Sequence, residues 1–150
     1  YIANGTAGIA ANGGYFYFAY NNFHAEKQQY LGTASALWGQ IYSTNAAVSV
    51  SDRNKKHAIE TLPDQYLALF DGLVPRRFKL NDGTSDRYHV GFVSQEVEQA
   101  MAAAGLASSA FGGFVKDTDE ETGEALYFLR YEEFIAILAA KIKQLEERLT

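Results

Sequence analysis

Seven consecutive residues gather several kinds of reactive group in one place. Ser51-Asp52-Arg53-Asn54-Lys55-Lys56-His57 holds a hydroxyl, a carboxylate, two amines and an imidazole. A serine hydroxyl becomes a useful nucleophile only beside a base. The chain has no cysteine, so thiolate nucleophiles, disulfides and Cys-ligated zinc are all excluded. His24, His57 and His89 are far apart in sequence and form no metal-ligand motif, so neither a metal nor any other cofactor is expected. On these residues alone two readings stand. Ser-Asp before a charged stretch is a common helix N-cap, with Lys55 and Lys56 solvated. Alternatively, a lysine serves as base to Ser51, with His57 at most a supporting contact.

The same point in the chain is a break in composition. Residues 1–50 carry two charged side chains, Glu26 and Lys27, and the remaining 29 fall in residues 51–150. The first part is rich in Gly, Ala, Asn, Ser, Thr and aromatics, and the second reads as an ordinary charged domain. The expected organisation is therefore 1–50, a β-rich segment, and 51–150, a separate domain. So few charges leave aromatic surface uncovered, which marks an interface, either with other copies or with the rest of the chain. The net charge of -5 argues against a nucleic-acid partner. No run of 18 apolar residues is present, so no membrane-spanning helix is expected. No basic stretch leads into an apolar one, so no signal peptide is expected, and the start at Tyr1 fits a fragment.

The elements that must position these groups are read as α+β. In the first part, Asn12-Gly13-Gly14 signals a turn and Tyr15–Tyr20 a strand covered on both faces. Trp38–Tyr42 and Ala46–Val50 are expected as two further strands. In the second part, Lys55–Asp71 is helix-compatible with an interruption at Pro63. Val74–Leu80 and Tyr88–Val93 form a hairpin around Asn81-Asp82-Gly83. Gln95–Ala104 is a short helix ended by Gly105. Phe114–Asp117 and Ala125–Arg130 form a second hairpin. Gln95 and Glu96 read as structural, Glu96 lying in a helical first turn.

Tyr131–Leu149 has the most regular pattern in the chain. Tyr131, Ile135, Leu138, Ile142, Leu145 and Leu149 alternate spacings of four and three. With Ile135 at a, Lys141 falls at g and Glu146 at the following e, a pair that a parallel coiled coil would join between chains. Ile at a with Leu at d leans towards two strands. The other reading is an amphipathic helix docked on its own domain.

Three ordered stretches resemble a known family. Ser51-Asp52-Arg53-Asn54-Lys55-Lys56 is similar to the S-D-x-x-L-K opening of the chaperone domains that end phage endosialidase tailspikes, neck appendages and tail fibres. Leu73-Val74-Pro75-Arg76-Arg77-Phe78 resembles its L-x-P-V-x-F segment. His89-Val90-Gly91-Phe92-Val93-Ser94-Gln95-Glu96-Val97 resembles its H-x-G-F-x-A-Q-E-V signature. Tyr30-Leu31-Gly32-Thr33 and Trp38-Gly39-Gln40-Ile41-Tyr42 are similar to the stretch that precedes such domains. Lys55 stands where Leu is usual, and Ser94 where Ala is usual.

The resemblance implies a homotrimeric intramolecular chaperone that registers a β-rich fibre stalk and then cuts itself off. It implies Ser51 as nucleophile, Lys56 as general base and a cut between Val50 and Ser51. The upstream fibre is the implied folding client, and a host receptor or glycan is met only through the parent fibre. The implied location is the virion tail, with the chaperone part released in the host cytoplasm. A non-cleaving oligomerisation module, or a domain releasing a membrane-tethered regulator, are the competing functions. The chemistry sets one condition. An ordinary lysine, with a pKa of about 10.4, is protonated at neutral pH and cannot act as a base. Burial depresses such a group by roughly 3–5 units, so packing must dry the site before it can work.

Overall fold

The computed structural model describes the backbone of residues 7–11, 14–19 and 22–25, and residues 30–45, 47–83 and 85–150 in full. The expected turn at Asn12-Gly13, the end of the aromatic run at Tyr20-Asn21, and Ala46 lie outside these. The chain divides into two compact units, residues 1–42 and 43–150.

The first unit is built on a three-stranded antiparallel sheet of order β1-β2-β3. Its strands are β1 (Ala7–Ala11), β2 (Gly14–Ala19) and β3 (Asn22–Ala25). The aromatic run forms the central strand, with Tyr17 opposite Gly8 on one side and His24 on the other. Trp38–Tyr42 and residues 47–50 are not strands, contrary to expectation. Neither has a partner ladder, and Trp38, Ile41, Tyr42, Val48 and Val50 are exposed.

The second unit holds three helices and two hairpins. The expected helix over 55–71 begins only after Pro63. A short 3-10 turn spans Arg53–Lys55, the chain then runs extended, and α1 occupies Asp64–Gly72 with Pro63 at its N-cap. Proline disfavours helical backbone in the residue before it, which delays the helix to this point. The first hairpin pairs β4 (Arg76–Phe78) with β5 (His89–Gly91), in the register Arg77 to Val90. Helix α2 (Ser94–Ala103) follows. It closes as a Schellman motif, with Gly105 at φ +73° and the Leu106 amide donating to the Met101 carbonyl at 2.9 Å. The second hairpin pairs β6 (Phe114–Thr118) with β7 (Ala125–Leu129), and α3 spans Tyr131–Leu149.

One core joins these pieces. Leu69 of α1, Val97, Ala100 and Met101 of α2, Leu106, Phe111, Phe114 of β6, and Phe134 and Ile137 of α3 are all buried. Phe111 meets the Phe134 ring edge-on at 5.1 Å and the Tyr66 ring at 5.7 Å. Such pairs contribute beyond their buried area. Arg130 ties the start of α3 to the loop before β6, its amide donating to the Gly113 carbonyl and its guanidinium to that of Gly112.

Helix α3 has two faces of unlike character. Phe134, Ile137 and Lys141 turn inward, each no more than 9% exposed. Lys141 Nζ donates to Asp71 of α1 and to Gln144 Oε1, so it is satisfied within its own chain. Within the single chain, Lys141 is thus engaged with its own domain. The inward face of the helix includes the lysine because Asp71 lies across from it. Ile135, Leu138, Ile142, Leu145 and Leu149 point away from the core and are between 44% and 87% exposed, whereas Tyr131, 47% exposed, lays its ring beside Phe92 and Phe134 of its own domain. The helix therefore docks on its own domain by one face and presents the heptad stripe on another. Among the described residues, no helix is long and apolar enough to cross a membrane.

Candidate active site

Ser51 begins the segment that leads into the 3-10 turn. Asp52 caps that turn, its Oδ1 accepting from the Asn54 amide at 2.9 Å and from Asn54 Nδ2 at 3.2 Å. The Lys55 amide donates to the Asp52 carbonyl, and the Lys56 amide to that of Arg53. This single turn shortens the path from residue 51 to residue 56. Lys56 Nζ consequently reaches Ser51 Oγ at 2.9 Å. Five residues of extended chain would span roughly 17 Å, so the capped turn is what allows a side-chain contact.

The structure thus brings Ser51 and Lys56 together. The N-cap reading of Ser51 passes to Asp52, whose carboxylate makes the capping bond. His57 is exposed and lies outside any helix. Ser51, Lys56 and their neighbours as far as Thr61 are exposed, and so is Val50 at 78%. Among the described residues, none covers the pair.

Ala58 follows two residues after Lys56 with φ +49°, the one positive φ at a non-glycine position among the described residues. That conformation costs an L-residue roughly 1–2 kcal/mol. From Ala58 the chain passes along a cleft of about 370 Å³ whose walls include Tyr66, Phe111 and Ile137, and it enters α1 at Pro63. Sequence reasoning missed this turn, since alanine carries no left-handed signal.

The two other motif segments support the domain rather than the pair. Arg76 on β4 makes two hydrogen bonds to the Glu96 carboxylate in the first turn of α2, at 2.9 and 3.0 Å. Those hydrogen bonds, with the attraction of the guanidinium, hold the Glu96 carboxyl below its usual range, against a smaller opposing effect of desolvation. Gly91 and Phe92 meet the first residue of α3. Tyr131 Oη accepts from the Phe92 amide at 3.1 Å, and a Cβ on residue 91 would stand 2.3 Å from that oxygen. The pairing was not legible from either segment alone.

Comparison with known proteins agrees with this architecture. A family model described as "Chaperone of endosialidase" matches residues 51–106. The "Depolymerase 1, capsule K3-specific" of Klebsiella phage KP32 is 30% identical over 119 residues, covering 76% of this chain and 13% of that protein. The "Probable tail spike protein" of Klebsiella phage 0507-KN2-1 is 29% identical, covering 96% of this chain and 14% of its own length. The chain therefore spans only a small part of these curated relatives. Among solved structures, the carboxy-terminal domain of the bacteriophage T5 L-shaped tail fibre with its intra-molecular chaperone domain superposes with a TM-score of 0.66 at 16% identity. That match covers 86% of this chain and 38% of the other. A structure described as a novel intramolecular chaperon superposes with a TM-score of 0.52 at 23% identity, covering 65% of this chain and 99% of its own. Over residues 51–106, then, this chain matches the chaperone-of-endosialidase family.

Proposed function

We propose that residues 51–150 are an intramolecular chaperone that assembles three copies of a phage fibre or tailspike and then releases itself by cutting between Val50 and Ser51. Residues 1–50 are the end of the fibre and the folding client. The observation that carries this reading is the 2.9 Å contact between Lys56 Nζ and Ser51 Oγ, at the residue where the family match begins.

The proposed chemistry uses only this chain and water. Neutral Lys56 takes the proton from Ser51 Oγ, and the oxygen attacks the carbonyl carbon of Val50. The bond from that carbon to the Ser51 nitrogen breaks, and Lys56 returns the proton to the departing amine. Val50 is then held as an ester on Ser51. Water hydrolyses the ester, leaving a carboxylate on Val50 and restoring the Ser51 hydroxyl. Each chain turns over once.

The exposure of the pair gives the reading its control. A lysine surrounded by water keeps its proton at neutral pH, and drying the site is what frees the amine. Since a single chain leaves the site wet, the cover has to come from neighbouring chains or from the folded client. Cutting then reports that assembly is complete. The outward stripe of α3 is the proposed seam. Its exposed apolar side chains, Ile135, Leu138, Ile142, Leu145 and Leu149, offer roughly 1 kcal/mol each on burial. The assembled fibre is placed in the virion tail, with the chaperone part released in the host cytoplasm and any receptor or glycan contacted by the parent fibre.

Intact mass of the expressed chain tests the reading. Fragments of 50 and 100 residues are expected, the longer starting at Ser51. Ser51→Ala and Lys56→Ala should leave the chain joined, and Lys55→Ala should still cut. Lys56→Arg should be inactive, because arginine keeps its proton. A wild-type chain that stays whole would leave a non-cleaving oligomerisation module. Loss of cutting in Lys55→Ala but not Lys56→Ala would move the base to Lys55.

A further inference from the structure

The segment that carries Ser51 and Lys56 takes no part in the core, since every residue from Ser51 to Thr61 is exposed. Its shape is therefore set by its own backbone. Asp52 accounts for the turn over 53–55. It does not account for the direction taken after Lys56, whose backbone is extended at φ −121° and ψ 152°. That direction is set at Ala58, with φ +49°. Ala58 also lines the cleft along which the strap to Pro63 runs. Beyond it, Leu62 packs against the core and anchors the strap's far end. A strained conformation persists only where its surroundings demand it. Here the demand comes from the two ends: the capped turn on one side and the anchored strap on the other.

We propose that Ala58 is a positioning residue, whose left-handed backbone turns the strap along the edge of the cleft and thereby holds Lys56 with its amine on Ser51. This rests on the reading that Ser51 and Lys56 cut the chain. The role belongs to the backbone and not to the methyl group. Glycine enters the left-handed region freely, and asparagine does so with little penalty. A β-branched residue there is a severe outlier and forces the strap into another path. Residue 58 is exposed and lies outside the buried core, so the fold itself does not depend on its side chain.

The test compares Ala58→Val, Ala58→Asn and Ala58→Gly in the full chain. Cutting is followed by intact mass, assembly by light scattering and folding by thermal melt. Ala58→Val should cut at least about tenfold more slowly, with assembly and melting unchanged. Ala58→Asn and Ala58→Gly should cut within about threefold of wild type. Wild-type rates in Ala58→Val would overturn the proposal, as would slow cutting in the asparagine or glycine variant. If the valine variant fails to assemble, the other two still decide the matter. A second readout separates this claim from the cleavage reading. With selectively labelled lysine, the Lys56 side-chain resonance should move in Ala58→Val and stay in place in Ala58→Asn. An unmoved resonance in Ala58→Val sinks the positioning role even if the wild type cuts. If the wild type does not cut, the cleavage reading fails, and the resonance alone judges Ala58.

Discussion

Lys141 Nζ on α3 lies 2.7 Å from Asp71 Oδ1 on α1, and this ion pair is set at the edge of the core. It joins α3 to α1 on the face that also buries Phe134 and Ile137. The lysine side chain is only 11% exposed, while Asp71 remains 60% exposed. With Lys141 inward, the heptad residues on either side of it turn outward.

Lys141→Ala should lower stability by about 1–2 kcal/mol. Losing one partner of a buried pair costs about 3–5 kcal/mol when the other is stranded, but water can solvate Asp71 here. For a domain of this size the melting point should fall several degrees, at about 4–8 °C per kcal/mol. Lys141→Met keeps the packing and should recover most of the loss. Thermal melts in the uncut Ser51→Ala background measure both. Equal stability of Lys141→Ala and its parent would show that the pair does not hold the helix.

The outward stripe predicts a separable defect. Replacing Ile142 and Leu145 with Asp should abolish the proposed trimeric assembly, because its seam would then bury charge at a cost of several kcal/mol. Both residues are about half exposed in the single chain, so the monomer should still melt cooperatively. Light scattering reads assembly and circular dichroism reads folding. A variant that remains trimeric would remove the stripe from the interface. One that dissociates yet still cuts would show that assembly is not needed to complete the site.

Gly91 and Tyr131 form a testable couple. Gly91→Ala should cost about 1–3 kcal/mol, because its methyl collides with the tyrosine hydroxyl. Tyr131→Phe should cost about 1 kcal/mol for the lost hydrogen bond. In the double variant the closest clash is gone. The combined loss should fall short of the sum by more than about 0.5 kcal/mol in denaturant melts. Simple additivity would mean that the loop relaxes without involving Tyr131.

The Arg76–Glu96 pair predicts an acid-side dependence. Glu96 is held below its usual range when folded, so its unfolded value, about 4.3, is the higher of the two. Its contribution is fully present above that unfolded value and is lost as pH falls through the folded one. Stability measured from pH 6 downward should therefore decline less steeply in Arg76→Gln than in wild type. The effect should be small, since both groups are partly exposed. A gap between variant and wild type that widens on acidification would contradict it.

What the sequence determined by itself is what short-range chemistry writes along the chain. The charge break near residue 51, the Schellman glycine at Gly105, both hairpins of the second unit and the full extent of Tyr131–Leu149 are local in origin. The proximity of Ser51 and Lys56 is nearly so, needing only one capped turn. Tertiary structure decided the rest. The heptad stripe was visible in the sequence, but its outward exposure was not, because that depends on Phe134 and Ile137 entering a core built from distant segments, with Lys141 meeting Asp71 seventy residues away. The same holds for Tyr131 over Gly91 and for Arg76 on Glu96. Extended backbone after Lys56 replaced the expected helix because Pro63 and the strap that packs at Leu62 overrode a weak local preference. Helical propensity acts over neighbouring residues, whereas these contacts exist only once distant segments share a core.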